Sequence, residues 1–353
     1  MKRCLILILL LLLAGSASAE SITVQSLPCY ADQDVTVFQE GVLYYDGESL
    51  HYVNSDGGVE WSYNAGRNAQ FSVSDTHIIL WANQQLSIIN EKGKSSFSRN
   101  MEDPIQFARI GSHHAAIVTG DELKPTVYVR DLEGTHVDFE TTMYDGMFIL
   151  DCGFYGKNDE YLWTLSYDFY APVVTSQIHT FQVGSMTTGS ITVDDHLVDE
   201  IIYVNNQLNV FTTQQMYTYD YRGVEVADSS RNVYGWEYLD HDIPKRDPAN
   251  ILLGSTKQIN ETGGITELRI ISTGLDCCYT LPSACVGAAI EDGHIFAFSG
   301  NYLYSGTVDS QRFDTHAIPL PNGRIVTGFL GLTSDGYAIV LSNDEVYAVS
   351  LPK

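Results

Sequence analysis

From Val35 to the C-terminus, apolar and polar residues alternate in short runs, and Gly, Asn, Asp and Ser gather between the runs. Alternation with period two predicts strands with one face buried, and the intervening residues predict turns. The clearest stretch is residues 41–63, GVLYYDGESLHYVNSDGGVEWSY. It reads as strand, tight turn, strand, glycine turn, strand. No helix longer than two turns is expected beyond the N-terminal segment.

The pattern repeats. Residues 50–57 (LHYVNSDG) match 86–93 (LSIINEKG), 127–134 (VYVRDLEG) and 216–223 (MYTYDYRG). Each is an alternating strand, then Asn or Asp, two residues, and Gly. The Asx side chain can accept backbone amides within the turn, and Gly can take a positive φ. That predicts a hairpin whose next strand leaves from the glycine. Pairs of apolar runs precede these hairpins. Units start near Val35, Gln70, Ile105, Phe148, Ile201, Trp236, Val286 and Val326. The spacing averages about 42 residues, the length of one four-stranded blade.

The expected fold is therefore all-β, a single β-propeller of eight four-stranded blades. Seven blades is the alternative, because the units near 148–193 and 236–281 are irregular. The last unit, ending at 345–351, lacks an outer strand, whereas residues 22–27 (ITVQSL) are strand-like and precede the first unit. The N-terminal strand is expected to complete the last blade, closing the ring and protecting its edges.

Residues 1–19 read as a signal peptide and 20–353 as the propeller domain. Lys2 and Arg3 precede an apolar run from Cys4 to Ala14, and Ala17-Ser18-Ala19 offers a cleavage site before Glu20. The run is about 11 residues, short for a membrane span. Retention as an anchor is the alternative, and no later stretch is apolar enough to cross. The chain of 353 residues carries a formal charge of −25. Removing Lys2 and Arg3 leaves 17 basic against 44 acidic residues, a formal −27. Such a field repels nucleic acid and anionic lipid, and it favours solubility first, then basic partners or divalent cations. Five cysteines remain after cleavage, too few for a disulfide scaffold, so hydrophobic packing must carry the fold.

Around residues 52–61 (YVNSDGGVEW) the sequence resembles the repeat of quinoprotein-like (PQQ-repeat-like) propellers: strand, Asp, two residues, Gly, three residues, Trp. In that family the Trp of each blade packs against the next blade. Trp61 fits this place, and Phe97 and Phe139 can substitute. The chain also resembles uncharacterised exported propellers of Gram-positive gut bacteria, through GVLYYDG at 41–47 and Tyr234-Gly235-Trp236. These resemblances imply a fold and export, and no activity.

Several clusters are chemical candidates. Cys277-Cys278 can form a strained ring of the kind some quinoprotein dehydrogenases place against their quinone. The plainer expectations are a disulfide from this pair to Cys285 or Cys29, or buried thiols. The segment around Asp56 also resembles the Asp box of sialidase propellers, but Ser55 abuts Asp56 and the arginines such a site needs are few. His113-His114 are strand neighbours that point to opposite faces, so they do not readily share a metal. Asp240-His241-Asp242 places two carboxylates on one side of what reads as a loop, before Pro244 and Pro248. Tyr161, Trp163, Tyr167, Phe169 and Tyr170 alternate along one segment, as core residues or as an exposed aromatic surface. Asn260-Glu261-Thr262 fits a glycosylation sequon.

The function expected is an exported, non-enzymatic binding or scaffolding module of the cell envelope or medium, with a protein or glycan partner. Tyr161, Trp163, Tyr167, Phe169, Tyr170, Asp240 and Asp242 are the candidate contact surface, and 155–186 and 234–264 the candidate binding insertions. No catalytic residue, cofactor or metal site is assigned, and a monomer is expected. The alternatives are a quinone-dependent oxidoreductase, a glycan-active enzyme, or a carbohydrate-binding propeller with exposed Tyr and Trp pairs beside acids.

Overall fold

The computed structural model describes residues 21–137, 144–168, 173, 175–185, 187–193, 196–244, 248–256, 263–310 and 312–352. Eight antiparallel four-stranded sheets account for nearly all of its regular structure. Blade 1 is built from Thr36–Phe38, Gly41–Tyr45, Ser49–Asn54 and Val59–Asn64, paired in that order. Blades 2 to 7 repeat the same meander, beginning with Gln70–Val73, Ile105–Ile110, Phe148–Tyr155, Val198–Val204, Trp236–Asp242 and Gly287–Glu291. Blade 8 takes Gly328–Leu332, Tyr337–Ser342 and Glu345–Ser350 from the C-terminal end. Its outer strand is Val24–Tyr30, which pairs antiparallel with Glu345–Ser350 through Val24↔Val349 and Ser26↔Tyr347. The chain thus closes its own ring, and its first and last strands leave no open edge between them.

The first strands of neighbouring blades approach one another and so surround the central axis. Apolar side chains of adjacent sheets interdigitate between blades. Ile79, Leu86 and Ile88 of blade 2, for example, share one cluster with Ala108, Ala115 and Ile117 of blade 3. All six are fully buried, and burying each leucine or isoleucine side chain contributes about 1.5–3 kcal/mol.

The repeated hairpin forms as its sequence predicts. Asn54 Oδ1 accepts the Gly58 amide at 2.8 Å, and Asp220 Oδ1 accepts the Arg222 and Val224 amides at 2.9 Å each. The turn glycines Gly57, Gly93, Gly134 and Gly223 all have positive φ, from 69° to 84°. Two of them have a second role. A Cβ on Gly93 would meet the Trp61 ring at 2.7 Å, and one on Gly134 would meet Phe97 at 2.0 Å. Trp61 Nε1 also donates to the Glu91 carbonyl of blade 2 at 2.9 Å. The packing role read for Trp61 is therefore present, Phe97 performs it one blade later, and Phe139 lies outside the described residues. By blade 4 an aliphatic side chain has taken the place, since Ile191 faces Gly223.

Two expectations are corrected. The stretches 155–186 and 234–264 are not loop insertions. The first carries the second and third strands of blade 4, and the second carries the first two strands of blade 6. The Asp240-His241-Asp242 loop is in fact the inner strand Trp236–Asp242. Its alternation is broken by a register shift between Tyr238 and Asp240, which disguises the strand.

Candidate functional site

Inner strands are where a propeller presents side chains to its axis, and five of the eight carry a bulge. Register shifts fall between Ile105 and Phe107, Ile149 and Asp151, Val198 and Glu200, Tyr238 and Asp240, and Phe329 and Gly331. A bulge bends the strand and re-aims the residues after it. In blades 4, 5 and 6 the residue after the shift is acidic: Asp151, Glu200 and Asp240. Each carboxylate accepts the amide of the following residue, from Cys152 at 2.8 Å, Ile201 at 3.2 Å and His241 at 2.8 Å.

Their outer partners differ. Asp151 Oδ1 pairs with Arg109 Nε of blade 3 at 2.7 Å. Asp240 Oδ2 accepts the Ile290 amide of blade 7 at 2.9 Å. Its neighbour Asp242 is buried and accepts the Gly293 amide at 2.7 Å. The two aspartates therefore fasten blade 6 to blade 7 and border an axial cavity of about 620 Å³. Burial raises the Asp240 carboxyl above its ordinary value despite these bonds, and burial lowers the His241 imidazole. Tyr238 Oη lies 2.6 Å from His241 Nδ1. Glu200 has neither a guanidinium nor a second amide among the described contacts. Its surface is open, yet protein surrounds most of it, and this desolvation raises its carboxyl.

Glu200 opens into a groove of about 680 Å³ between blades 5 and 6. Phe211, Tyr234, Trp236 and Tyr238 supply its rings, and Asp199, Glu200 and Glu237 its charge. The groove lies at the end of the ring where the inner strands begin. The short link from the outer strand Arg231–Asn232 to the inner strand Trp236–Asp242 projects Tyr234 there, 74% exposed. Trp236 is held from the same face of the blade 6 sheet, by a residue two strands away. The Arg269 guanidinium lies 6.0 Å from its ring centre, and Asp276 and the Asn232 carbonyl fix that guanidinium at 2.7–2.8 Å. Burial raises Asp199 as well.

Most of the remaining described candidates lie in the core or at the seams between blades. Tyr161, Trp163 and Tyr167 pack on the core shared by blades 4 and 5, with Trp163 buried and the two tyrosines half-buried. Tyr161 packs against Tyr155 and Tyr221, and Tyr167 donates to the Val198 carbonyl at 3.3 Å. Phe169 and Tyr170 lie outside the described residues, as do residues 1–20 and the 260–262 sequon. Of the two expectations for Cys277, Cys278 and Cys285, a disulfide or free thiols, the second holds, and all five described cysteines are free thiols. Cys277 and Cys278 are strand neighbours on opposite faces of Leu275–Cys285, one half-buried and one exposed. Burial pushes Cys29 and Cys285 up to about 12, which keeps both protonated and unreactive at neutral pH. His113 and His114 donate their backbone amides to Asp159 Oδ2 at 2.6 and 3.0 Å, while Ser112 Oγ donates to Asp159 Oδ1. Asp159, from the first turn of blade 4, thereby fastens blade 3. Among the described residues no group of three or more His, Cys, Asp or Glu is placed to hold a metal.

Sequence reasoning missed Glu200, Asp151 and Asp159. Laying LDC at 150–152 over DEI at 199–201 and LDH at 239–241 exposes the first two, once the inner strands are aligned on their shifts.

No family model matches this sequence, and no curated protein matches it. Solved structures do share its shape. BamB from Moraxella catarrhalis aligns over 94% of this chain and 98% of its own, with a TM-score of 0.52 and 11% identity. The WD40 domain of Neurospora crassa Pan2 aligns over 94% and 96%, with a TM-score of 0.50 and 10% identity. Kluyveromyces lactis Hsv2 aligns over 83% and 100%, with a TM-score of 0.51 and 11% identity. At these identities the likeness establishes the propeller fold alone.

Proposed function

We propose that this chain is an exported, non-catalytic propeller that binds a protein partner in the cell envelope or the surrounding medium. The observation that carries this reading is the groove between blades 5 and 6. There, Tyr234, Asp199 and Glu200 are exposed beside the half-buried rings of Trp236 and Tyr238, while Asp159, Asp240 and Asp242 direct their oxygens to backbone amides of neighbouring blades. The propeller ring, a shape shared with BamB and the Pan2 WD40 domain, supplies a rigid platform for such a surface. Lys2, Arg3, the apolar run and Ala17-Ser18-Ala19 support export. Among the described residues no helix is long and apolar enough to cross a membrane. The formal −25 charge supports a basic partner.

Crosslinking of the native chain in its own cells, followed by mass spectrometry, tests the reading. A reproducible envelope or secreted protein, crosslinked near residues 199–200 or 234–238, is expected. Well-expressed chain that captures nothing would sink it. Fractionation tests export separately, and a chain found in the cytosol with Met1 intact would remove that half. Carbohydrate binding is the second reading. Exposed Tyr234 beside Trp236, with Asp199 and Glu200 alongside, favours it, and a glycan array would detect it.

A further inference from the structure

We propose that the groove between blades 5 and 6 receives one lysine or arginine side chain of an extended partner segment. Its charge lies against Glu200 and Asp199, and its methylenes lie along Tyr234 and Trp236. The inference rests on the binding-module reading and names the chemistry of the contact.

Four features of the groove carry it. First, its charge has one sign: no Lys, Arg or His lines it among the described residues. Carboxylates in a concave site with low-dielectric walls concentrate the field that draws a cation. Second, Glu200 lacks the satisfaction that its equivalents enjoy. Asp151 has Arg109 and Asp240 has the Ile290 amide, whereas Glu200 has only the amide of Ile201, at 3.2 Å. An incoming ammonium or guanidinium would supply the missing donors. Third, the rings suit an amphipathic side chain. A cation within about 6 Å of a Trp or Tyr ring is attracted to its face, and the aliphatic stem of lysine or arginine packs on apolar surface. The molecule already places one guanidinium near the Trp236 ring, that of Arg269. Fourth, the site is open to a chain, since Tyr234 is 74% exposed at the mouth of the ring.

The test uses the full chain and four blocked five-residue peptides, alanine throughout except for a central lysine, arginine, norleucine or glutamate. A neutral oligosaccharide serves as a competitor. Affinity is read by calorimetry and by Trp fluorescence. The lysine and arginine peptides are expected to bind at least about tenfold tighter than the norleucine peptide. Their affinity falls when salt rises from about 20 to about 200 mM. Glu200→Gln and Tyr234→Ala each weaken them several-fold, and both positions are exposed enough for the fold to survive. Norleucine binding as well as lysine, or unchanged affinity in both variants, overturns the proposal. So does displacement by the oligosaccharide, which would assign the groove to glycan. If no peptide binds while crosslinking still captures a protein partner, this assignment fails and the binding module stands. If crosslinking also captures nothing, the reading beneath it falls too.

Discussion

Glu200 in blade 5 and Asp240 in blade 6 follow the same inner-strand bulge, and each accepts the amide of the next residue. Desolvation raises both carboxyls. They part company at the second oxygen. Asp240 reaches across to the Ile290 amide and becomes a clasp between blades 6 and 7. Glu200 reaches toward blade 6 and meets aromatic rings instead of a donor. One backbone device, repeated around a ring, has been fixed as structure in one blade and left open in the next. The contrast teaches where to look in a repeat protein: at the copy whose local rule holds while its outward partner is missing.

Loss of the clasp in blade 6 has the strongest consequence. Asp240→Ala removes the acceptor of two amides and leaves the Ile290 donor half-buried and unpaired. A lost charge-assisted bond with an orphaned donor destabilises by about 2–3 kcal/mol. Urea unfolding would show a lower midpoint with an unchanged slope. A midpoint within error of the parent chain would mean that the clasp is incidental. Asp242→Ala should behave similarly, because it removes the 2.7 Å bond from the Gly293 amide.

Blade 4 gives a smaller effect. The side chains of the Arg109–Asp151 pair are 37% and 40% exposed, and such pairs contribute less than about 1 kcal/mol. Arg109→Ala therefore lowers stability slightly, part of it through lost packing on Phe107, 5.2 Å away. It also turns Asp151 into a second unpaired carboxylate beside Glu200. If the comparison is right, this variant binds the lysine peptide at least as well as the parent does.

Sequence pattern reached the architecture and stopped short of this site, for a physical reason. Hairpins such as 50–57 are local: Asn54, Gly57 and Gly58 carry their own turn, and the register follows. Closure was legible by count, because the last unit ends one strand short while residues 22–27 show strand alternation with no local mate. The seams between blades are non-local. Nothing around Asp159 announces that its oxygens meet the amides of His113 and His114, some 45 residues earlier. The bulge in Trp236–Asp242 interrupts the period-two signal and leaves the appearance of a charged loop. Alternating Tyr161, Trp163 and Tyr167 fit an exposed face and a buried one equally well, and only the neighbouring blade decides between them.

The finest test of the comparison is the pH dependence of stability in Glu200→Gln. Desolvation raises the folded carboxyl above its ordinary value of 4.5. The native state then binds a proton more tightly than the unfolded chain does. This group's contribution is fully present at and below about pH 4.5 and is lost as pH rises through the raised folded value. Glutamine has no proton to hold, so the variant should lose less stability than the parent between about pH 5 and 7. At neutral pH it should be equal to the parent or more stable by up to about 0.5 kcal/mol, because Glu200 is open to solvent. The sign is the discriminating feature. Asp240→Asn removes a carboxylate raised by the same cause, but it also replaces a clasp, so its loss at neutral pH should exceed any gain from removed charge. Unfolding midpoints for both variants at about pH 5 and pH 7 would read this directly. Parallel behaviour of the two would erase the distinction between a carboxylate the fold uses and one it leaves for a partner.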